Sequence, residues 1–251
     1  MKGTFLTNTG RVRSHNEDAG GIFHNAAGQC LAVIADGMGG HKAGDVASRM
    51  ATSLLEKKWA ESSLFTKPDQ TEEWVAQAVE EINQAIFTKS QENKECQGMG
   101  TTIVITIFVD DFVTIAHIGD SRCYRIQDGT FKQVTEDHSL VNALVQSGQI
   151  SKEEAQHHPR KNVVLKALGT ESDVSADIKT LSLESGSIYF LCTDGLTDKV
   201  MDEEIADSFL SRDDLTDIGE RLINVANDRG GEDNISLIIL HHDNASKAGD
   251  G

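Results

Sequence analysis

An α+β fold built on antiparallel sheets is the architecture this sequence predicts. Three observations carry it. β-type runs follow one another in pairs joined by hairpin-length turns, amphipathic helical stretches also come in pairs, and no regular strand–helix–strand alternation points to a parallel sheet. Helix pairs kept apart from strand pairs belong on the outer faces of packed sheets.

The elements follow in order. Short β-type runs cover Thr4–Thr7, Gly21–His24 and Cys30–Ala35. A helix is predicted over Ala43–Ala60, where Val46, Ala47, Met50, Ala51, Leu54, Leu55 and Trp59 share one face. A second covers Asp69–Gln91, with Trp74, Val75, Ala78, Val79, Ile82, Ala85 and Ile86 on its apolar side and Glu72-Glu73 suited to a helix N-terminus. Thr101–Val109 and Val113–Ile118 read as a hairpin about Asp110-Asp111. Arg122–Ile126 and Phe131–Val134 flank the turn dipeptide Asp128-Gly129. Short helices are expected at Ser139–Ser147 and Ser151–His157, strands at Val174–Leu181 and Ile188–Cys192, helices at Asp202–Leu210 and Asp213–Asp228, and a closing strand at Ile235–His241.

The chain has 251 residues, enough for one large domain. Apolar residues make up 38%, and the 22 glycines bring the total into the ordinary globular range. The longest strongly apolar stretch, Thr101–Val109, is far short of the ~20 residues a membrane helix needs. Met1-Lys2-Gly3-Thr4 opens no secretory signal, so the expectation is a soluble, cytoplasmic protein without membrane insertion. Forty acidic residues against 23 basic ones give a net charge of −17, which repels nucleic acid and anionic membranes alike. The acid excess serves solubility for the most part, and some of the carboxylates are candidates to hold cations. Cys30, Cys96, Cys123 and Cys192 form no Cys-x-x-Cys pair; three of them sit in apolar runs and read as small buried thiols.

Three segments share one local design, an apolar run followed at once by an aspartate: Leu31-Ala-Val-Ile-Ala-Asp36-Gly37, Ile115-Ala-His-Ile-Gly-Asp120 and Tyr189-Phe-Leu-Cys-Thr-Asp194-Gly195. The inverse, Gly230-Gly231-Glu232-Asp233-Asn234, opens the last strand. Singly, an Asp-Gly pair is turn punctuation, as Asp128-Gly129 is read here. Together they place several carboxylates at strand ends. Glycines crowd the same places, Gly37, Gly39, Gly40 and Gly44 in one loop and Gly230-Gly231 in another, as if to let a small ligand approach the backbone. Two unit charges about 4 Å apart repel by about 4 kcal/mol at an effective dielectric near 20, so converging aspartates need protons or cations. All-oxygen ligands favour magnesium or manganese. Arg13-Ser-His-Asn16-Glu17-Asp18 joins one arginine to two acids: Arg13 reads either as a surface ion pair or as a guanidinium able to grip two phosphate oxygens, with Asp18 turned towards a metal.

These segments resemble the metal-dependent protein phosphatase family of type 2C, which dephosphorylates phosphoserine and phosphothreonine. The likeness is strongest to bacterial stand-alone members of the Bacillus type, each paired with a membrane Ser/Thr kinase. It covers nearly the whole chain in order: Arg13…Asn16-Glu17-Asp18, Ala35-Asp36-Gly37-Met38-Gly39-Gly40-His41, Gly98-Met99-Gly100-Thr101-Thr102, His117-Ile118-Gly119-Asp120-Ser121-Arg122, Glu136-Asp137-His138-Ser139, Thr193-Asp194-Gly195 and Gly231-Glu232-Asp233-Asn234. The resemblance implies a four-layer α/β/β/α sandwich, with residues 1–243 as a single catalytic domain, a flap over about 139–169 and a flexible tail over 244–251. It implies two Mn2+ or Mg2+ ions that activate a water for direct attack on phosphorus. Asp36 would bridge both ions, Asp18 and the Gly37 carbonyl would serve one, and Asp194 and Asp233 the other. Asp120, with Asp194, matches a weaker third site of bacterial members. Arg13 would bind the substrate phosphate, and Glu17 and Asn234 would stand behind the ligands.

Animal members carry a histidine directly after the Asp-Gly, proposed as the acid for the leaving alkoxide; here that place is Met38, and His41 is the nearest histidine. His41 either donates that proton or only orders the glycine loop. The compact basic run His157-His158-Pro159-Arg160-Lys161 in the flap is a solvated loop or a contact for phosphoproteins. The expected partners are phosphoproteins and a cognate kinase, and the chain is expected to act as a monomer. Two other classes compete. One is an inactive phosphoprotein-binding module. The other is a nucleotide cradle at Gly37–Gly44, which lacks Gly-Lys-Ser/Thr and puts Lys42 where Gly-x-Gly-x-x-Gly needs its last glycine.

Overall fold

A computed structural model describes residues 1–40, 43–211 and 213–243. Alternation along single strands sets its architecture. In β3 (Cys30–Met38), Cys30, Ala32 and Ile34 enter one apolar cluster and Leu31 and Val33 another, all of them buried. A strand apolar on both faces needs a layer on each side. The closing strand β11 (Ile235–His241) divides likewise, Ile238 and Leu240 one way and Ile235, Leu237 and Ile239 the other.

Two antiparallel sheets result. One runs β1 (Lys2–Asn8), β11, β10 (Ile188–Cys192), β7 (Arg122–Gln127), β8 (Thr130–Gln133). The other runs β2 (Asp18–His24), β3, β5 (Ile103–Val109), β6 (Phe112–Ile118), β9 (Asp177–Ser182), with the two-residue β4 (Gly100–Thr101) against β3. Between them lies a core that includes Ala32, Ile34, Val104, Phe108, Tyr189 and Ile238. Outside the β3 sheet, α1 (Ala43–Ala60) and α2 (Pro68–Glu92) bury Ala47, Ala51, Leu55 and Trp59, and Val75, Val79, Ile82 and Ile86. Outside the β11 sheet, α7 (Leu215–Asp228) buries Ile218, Leu222 and Ala226 beside α6 (Asp202–Ser208). Three apolar layers between four layers of backbone make the α/β/β/α sandwich that the resemblance implies. Apolar burial is worth about 25 cal/mol per Å² and supplies the main driving force for these contacts.

The flap region carries two short helices, α3 (Leu140–Gln146) and α4 (Lys152–Gln156), neither with a buried residue. Ser139 caps α3 through the Asn142 N–H, and Ser151 and Glu154 form a capping box on α4. Asp128 and Gly129 both take positive φ, 49° and 75°, in the turn joining β7 to β8, the conformation of a tight hairpin.

Several boundaries differ from the sequence reading; β2, for one, starts at Asp18 rather than Gly21. β3 does not stop before Asp36 but runs through it to Met38, because Gly37 and Met38 pair with Thr101 and Gly100. Asp194 follows the strand end as expected but also starts a one-turn helix, α5 (Asp194–Thr197), that four residues are too few to announce. β9 begins at Asp177, three residues later than expected, although Val174 is buried. The basic run is not wholly solvated either, since Lys161 Nζ lies 2.8 Å from Asp198. The tail 244–251 lies outside the described residues.

Candidate active site

Topology brings the acidic segments to one end of the sandwich. β2 starts where β3 ends, in a register that sets Asp18 opposite Asp36. β6 runs in the direction of β3, since each pairs antiparallel with β5, so Asp120 follows β6 at that same end. In the other sheet β10 ends and β11 begins together, Cys192 opposite Leu237, which places Asp194 and Asp233 side by side beyond them.

The electrostatics record how tightly these groups crowd. Burial pushes the Asp18 carboxyl up to about 7; hydrogen bonds from Ser236 and Thr193 oppose the rise, and the charges of Asp194 and Asp233 add to it. Asp36 is held well above the ordinary carboxylate range, by burial first and then by Asp18, Asp194, Asp120 and Asp233. By surface area Asp36 is only half-buried, but neighbours hem in its carboxyl, and that crowding governs its charge. Burial and then Asp194 and Asp137 push Asp120 up to about 7. Burial and then Asp198 and Asp233 push Asp194 up to about 6. Asp18 Oδ1 and Asp194 Oδ1 are buried with no hydrogen-bond partner. A buried orphan oxygen is costly, and several at one spot, all acceptors, suit a hard cation.

A threonine-rich framework aims the acids. Thr102 Oγ1 accepts the Asp36 N–H at 3.0 Å, and the Thr101 hydroxyl and the Thr102 N–H both donate to the Asp36 carbonyl. Thr102 Oγ1 also lies 2.7 Å from Ser121 Oγ, which ties the Asp36 strand to the Asp120 turn. The Thr193 hydroxyl donates to Asp18 Oδ2 at 3.0 Å. Asn234 Oδ1 accepts the Glu17 N–H, while its Nδ2 donates to the carbonyls of Thr9 and His15, so it pins the segment carrying Asp18. The roles of Thr102, Thr193 and Ser236 are not legible in the sequence, because a threonine in an apolar run carries no sign of what its hydroxyl will meet.

Two expectations change. The glycines Gly37 and Gly44 leave room not for a ligand but for each other: a Cβ on Gly37 would stand 2.1 Å from the Gly44 carbonyl oxygen. Arg13 does not stand free for an anion: its Nη2 is 2.8 Å from Asp233 Oδ2, and its Nε donates to the Glu232 carbonyl. His41 lies outside the described residues.

A second group of side chains gathers nearby. His117, His138 and Asp177 have ligand atoms within 4.8 Å of one another, the one such group of three among the described residues. Its hydrogen bonds argue against a metal. The Gly119 N–H donates to His138 Nδ1, so Nε2 carries the ring hydrogen and turns it to Asp177 Oδ2, 3.4 Å away. His117 Nε2 donates to the Glu136 carbonyl. The rings stack at 4.7 Å, only 16° from parallel, so their lone pairs run alongside rather than converge. Burial and then His117 push the His138 imidazole below its ordinary value, which favours this neutral tautomer. The trio is a brace between β6, β9 and the chain entering the flap.

An oxygen-only pocket with an arginine at its edge defines a class, hydrolases that act on phosphate esters with the help of divalent cations. The model of the protein phosphatase 2C family matches residues 8–238, and the chain belongs to that family. It is 42% identical over 250 residues to the serine/threonine phosphatase stp of Listeria monocytogenes, covering all of this chain and 99% of that one. The crystal structure of Stp1 from Staphylococcus aureus superposes with a TM-score of 0.91 at 41% identity, covering 95% of this chain and 93% of the other. The catalytic domain of PstP, solved in complex with two manganese ions, superposes with a TM-score of 0.83 at 32% identity, covering 95% and 96%.

Proposed function

We propose that this family member hydrolyses phosphoserine and phosphothreonine in proteins with two divalent ions, Mn2+ or Mg2+, held at the aspartate cluster. The observation that carries the reading is the convergence of Asp18, Asp36 and Asp194 with two buried, unpartnered carboxylate oxygens. Asp36 would serve both ions; Asp18 and the Gly37 carbonyl would hold one, Asp194 and Asp233 the other, and Asp120 with Asp194 a third, weaker one. Ions bound there supply a water activated near neutral pH and draw charge from the phosphoryl oxygens.

The protein's own groups do the rest. Arg13, now paired with Asp233, would be free to take two phosphate oxygens and to hold the charge that grows on them if Asp233 served as a cation ligand instead. The water oxygen bonds to phosphorus as the bond to the serine or threonine oxygen breaks, and that oxygen leaves with a proton. His41 is the candidate donor. Among the described residues, the hydroxyls of Thr193 and Ser236 beside the cluster are already engaged, Thr193 with Asp18 and Ser236 with Thr7, which favours direct attack by water over transfer to either of them.

Residues 1–243 act as one catalytic domain with a flap over about 139–169. Among the described residues no helix is long and apolar enough to cross a membrane, and a cytoplasmic monomer opposing a Ser/Thr kinase is the fitting setting. The test is a phosphopeptide assay after chelation, with metals added back singly. Activity restored by manganese or magnesium supports the reading; full activity in the presence of chelator would refute it.

A further inference from the structure

A groove of about 600 Å³ opens beside Asp120 and Asp194 and runs between the flap helices α3 and α4 and the segment Thr197–Glu203. Setting Asp120 and Asp194 aside, its walls carry six acids and three bases. Two of the bases are already matched within the groove: Arg122 grips Asp137 through Nε and Nη2, and Lys161 pairs with Asp198. Lys152 remains, at the outer rim on α4. Glu136, Glu153 and Glu203 face the groove exposed, with no ion pair among the described residues. Along the same walls lie apolar side chains, Val141 and Val145 from α3 and Met201 from the opposite side, the last 56% exposed.

Apolar walls with an acidic edge match a long side chain that has an aliphatic stem and a cationic head. A phosphopeptide also needs such a head on a surface of net charge −17, because its own dianion is repelled until it reaches the cations of the site. We propose, on the strength of the phosphatase activity stated above, that this groove takes an arginine or lysine flanking the phosphorylated residue, so that the preferred substrates are basic phosphopeptides.

Two phosphothreonine peptides of equal length test this, one with arginines on both flanks and one with glutamines in their place, assayed with manganese beside p-nitrophenyl phosphate. The arginine peptide is expected to have a kcat/KM about tenfold higher at low salt, the scale of a few exposed ion pairs, and the advantage shrinks as salt rises. The double variant Glu136→Gln with Glu203→Gln should bring the two peptides to within about twofold of each other and leave p-nitrophenyl phosphate hydrolysis unchanged. Equal kcat/KM for the two peptides in the wild-type protein, or an advantage that survives in the double variant, would overturn the substrate preference alone. Absence of p-nitrophenyl phosphate hydrolysis by the wild-type protein would overturn the phosphatase reading, and the preference with it.

Discussion

Two clusters of potential metal ligands stand at the same end of this molecule, and they differ in what remains unsatisfied. Around Asp36 the carboxylates are crowded, pushed toward the protonated form, and left with bare buried oxygens. Around His138 both nitrogens of that ring are engaged, Nδ1 by the Gly119 N–H and Nε2 towards Asp177, so the ring tautomer is fixed by a backbone N–H. The tighter of the two clusters is therefore the one less suited to a cation. Proximity of ligand atoms says little about a cation site; unpaired acceptors and displaced protonation equilibria say more.

The contrast can be broken most directly at Asp36. Asp36→Asn should lower turnover of a phosphopeptide by about 10²-fold or more in saturating manganese, the scale of removing a partner of developing charge; wild-type turnover in that variant would dissolve the assignment. Arg13→Ala should raise KM about tenfold through loss of a charge-assisted contact, with kcat changed less. A steady-state titration separates the two parameters.

The protonation shifts sharpen the contrast through pH. A carboxylate whose folded pKa is raised, as for Asp18 and Asp120 to about 7, is protonated in the fold between pH 4 and 7 while the unfolded chain has released its proton. Chelated protein therefore loses stability as pH rises across that window, and cations bind better above it. Manganese at about 100 times its Kd stabilises by about 2.7 kcal/mol, or roughly 5–10 °C in Tm for a chain of this size. That increment should appear at pH 8 and shrink at pH 5.5 in a melting experiment. At the brace the effect is purely structural. His138→Leu should cost about 1–3 kcal/mol by orphaning the Gly119 N–H, whereas His138→Asn, which can accept that hydrogen, should cost less in urea unfolding.

Much of this arrangement was legible in the chain. The double-faced strands showed as unbroken apolar runs such as Leu31–Ala35, and the acids as the residues that closed or opened those runs. The helices α1 and α2 came out within a residue or two, because an apolar stripe fixes the buried face wherever the partner lies. The hydroxyl framework was not legible. Thr102, Thr193 and Ser236 act on residues 66, 175 and 229 positions away, and only the closed fold sets those distances. Arg13 illustrates the same limit, since its role as an anion grip could be read locally while its present partner, Asp233, comes from the far end of the sequence.

Asp18 and Asp36 face each other across adjacent strands, a juxtaposition of like charges that sheets ordinarily avoid. The fold thus holds a fault line where its chemistry is to occur. Without cations the neutral variant Asp36→Asn should melt later than the wild-type chain, idle yet sturdier. In a cell starved of divalent metal the wild-type protein would then be cleared faster as well as silenced.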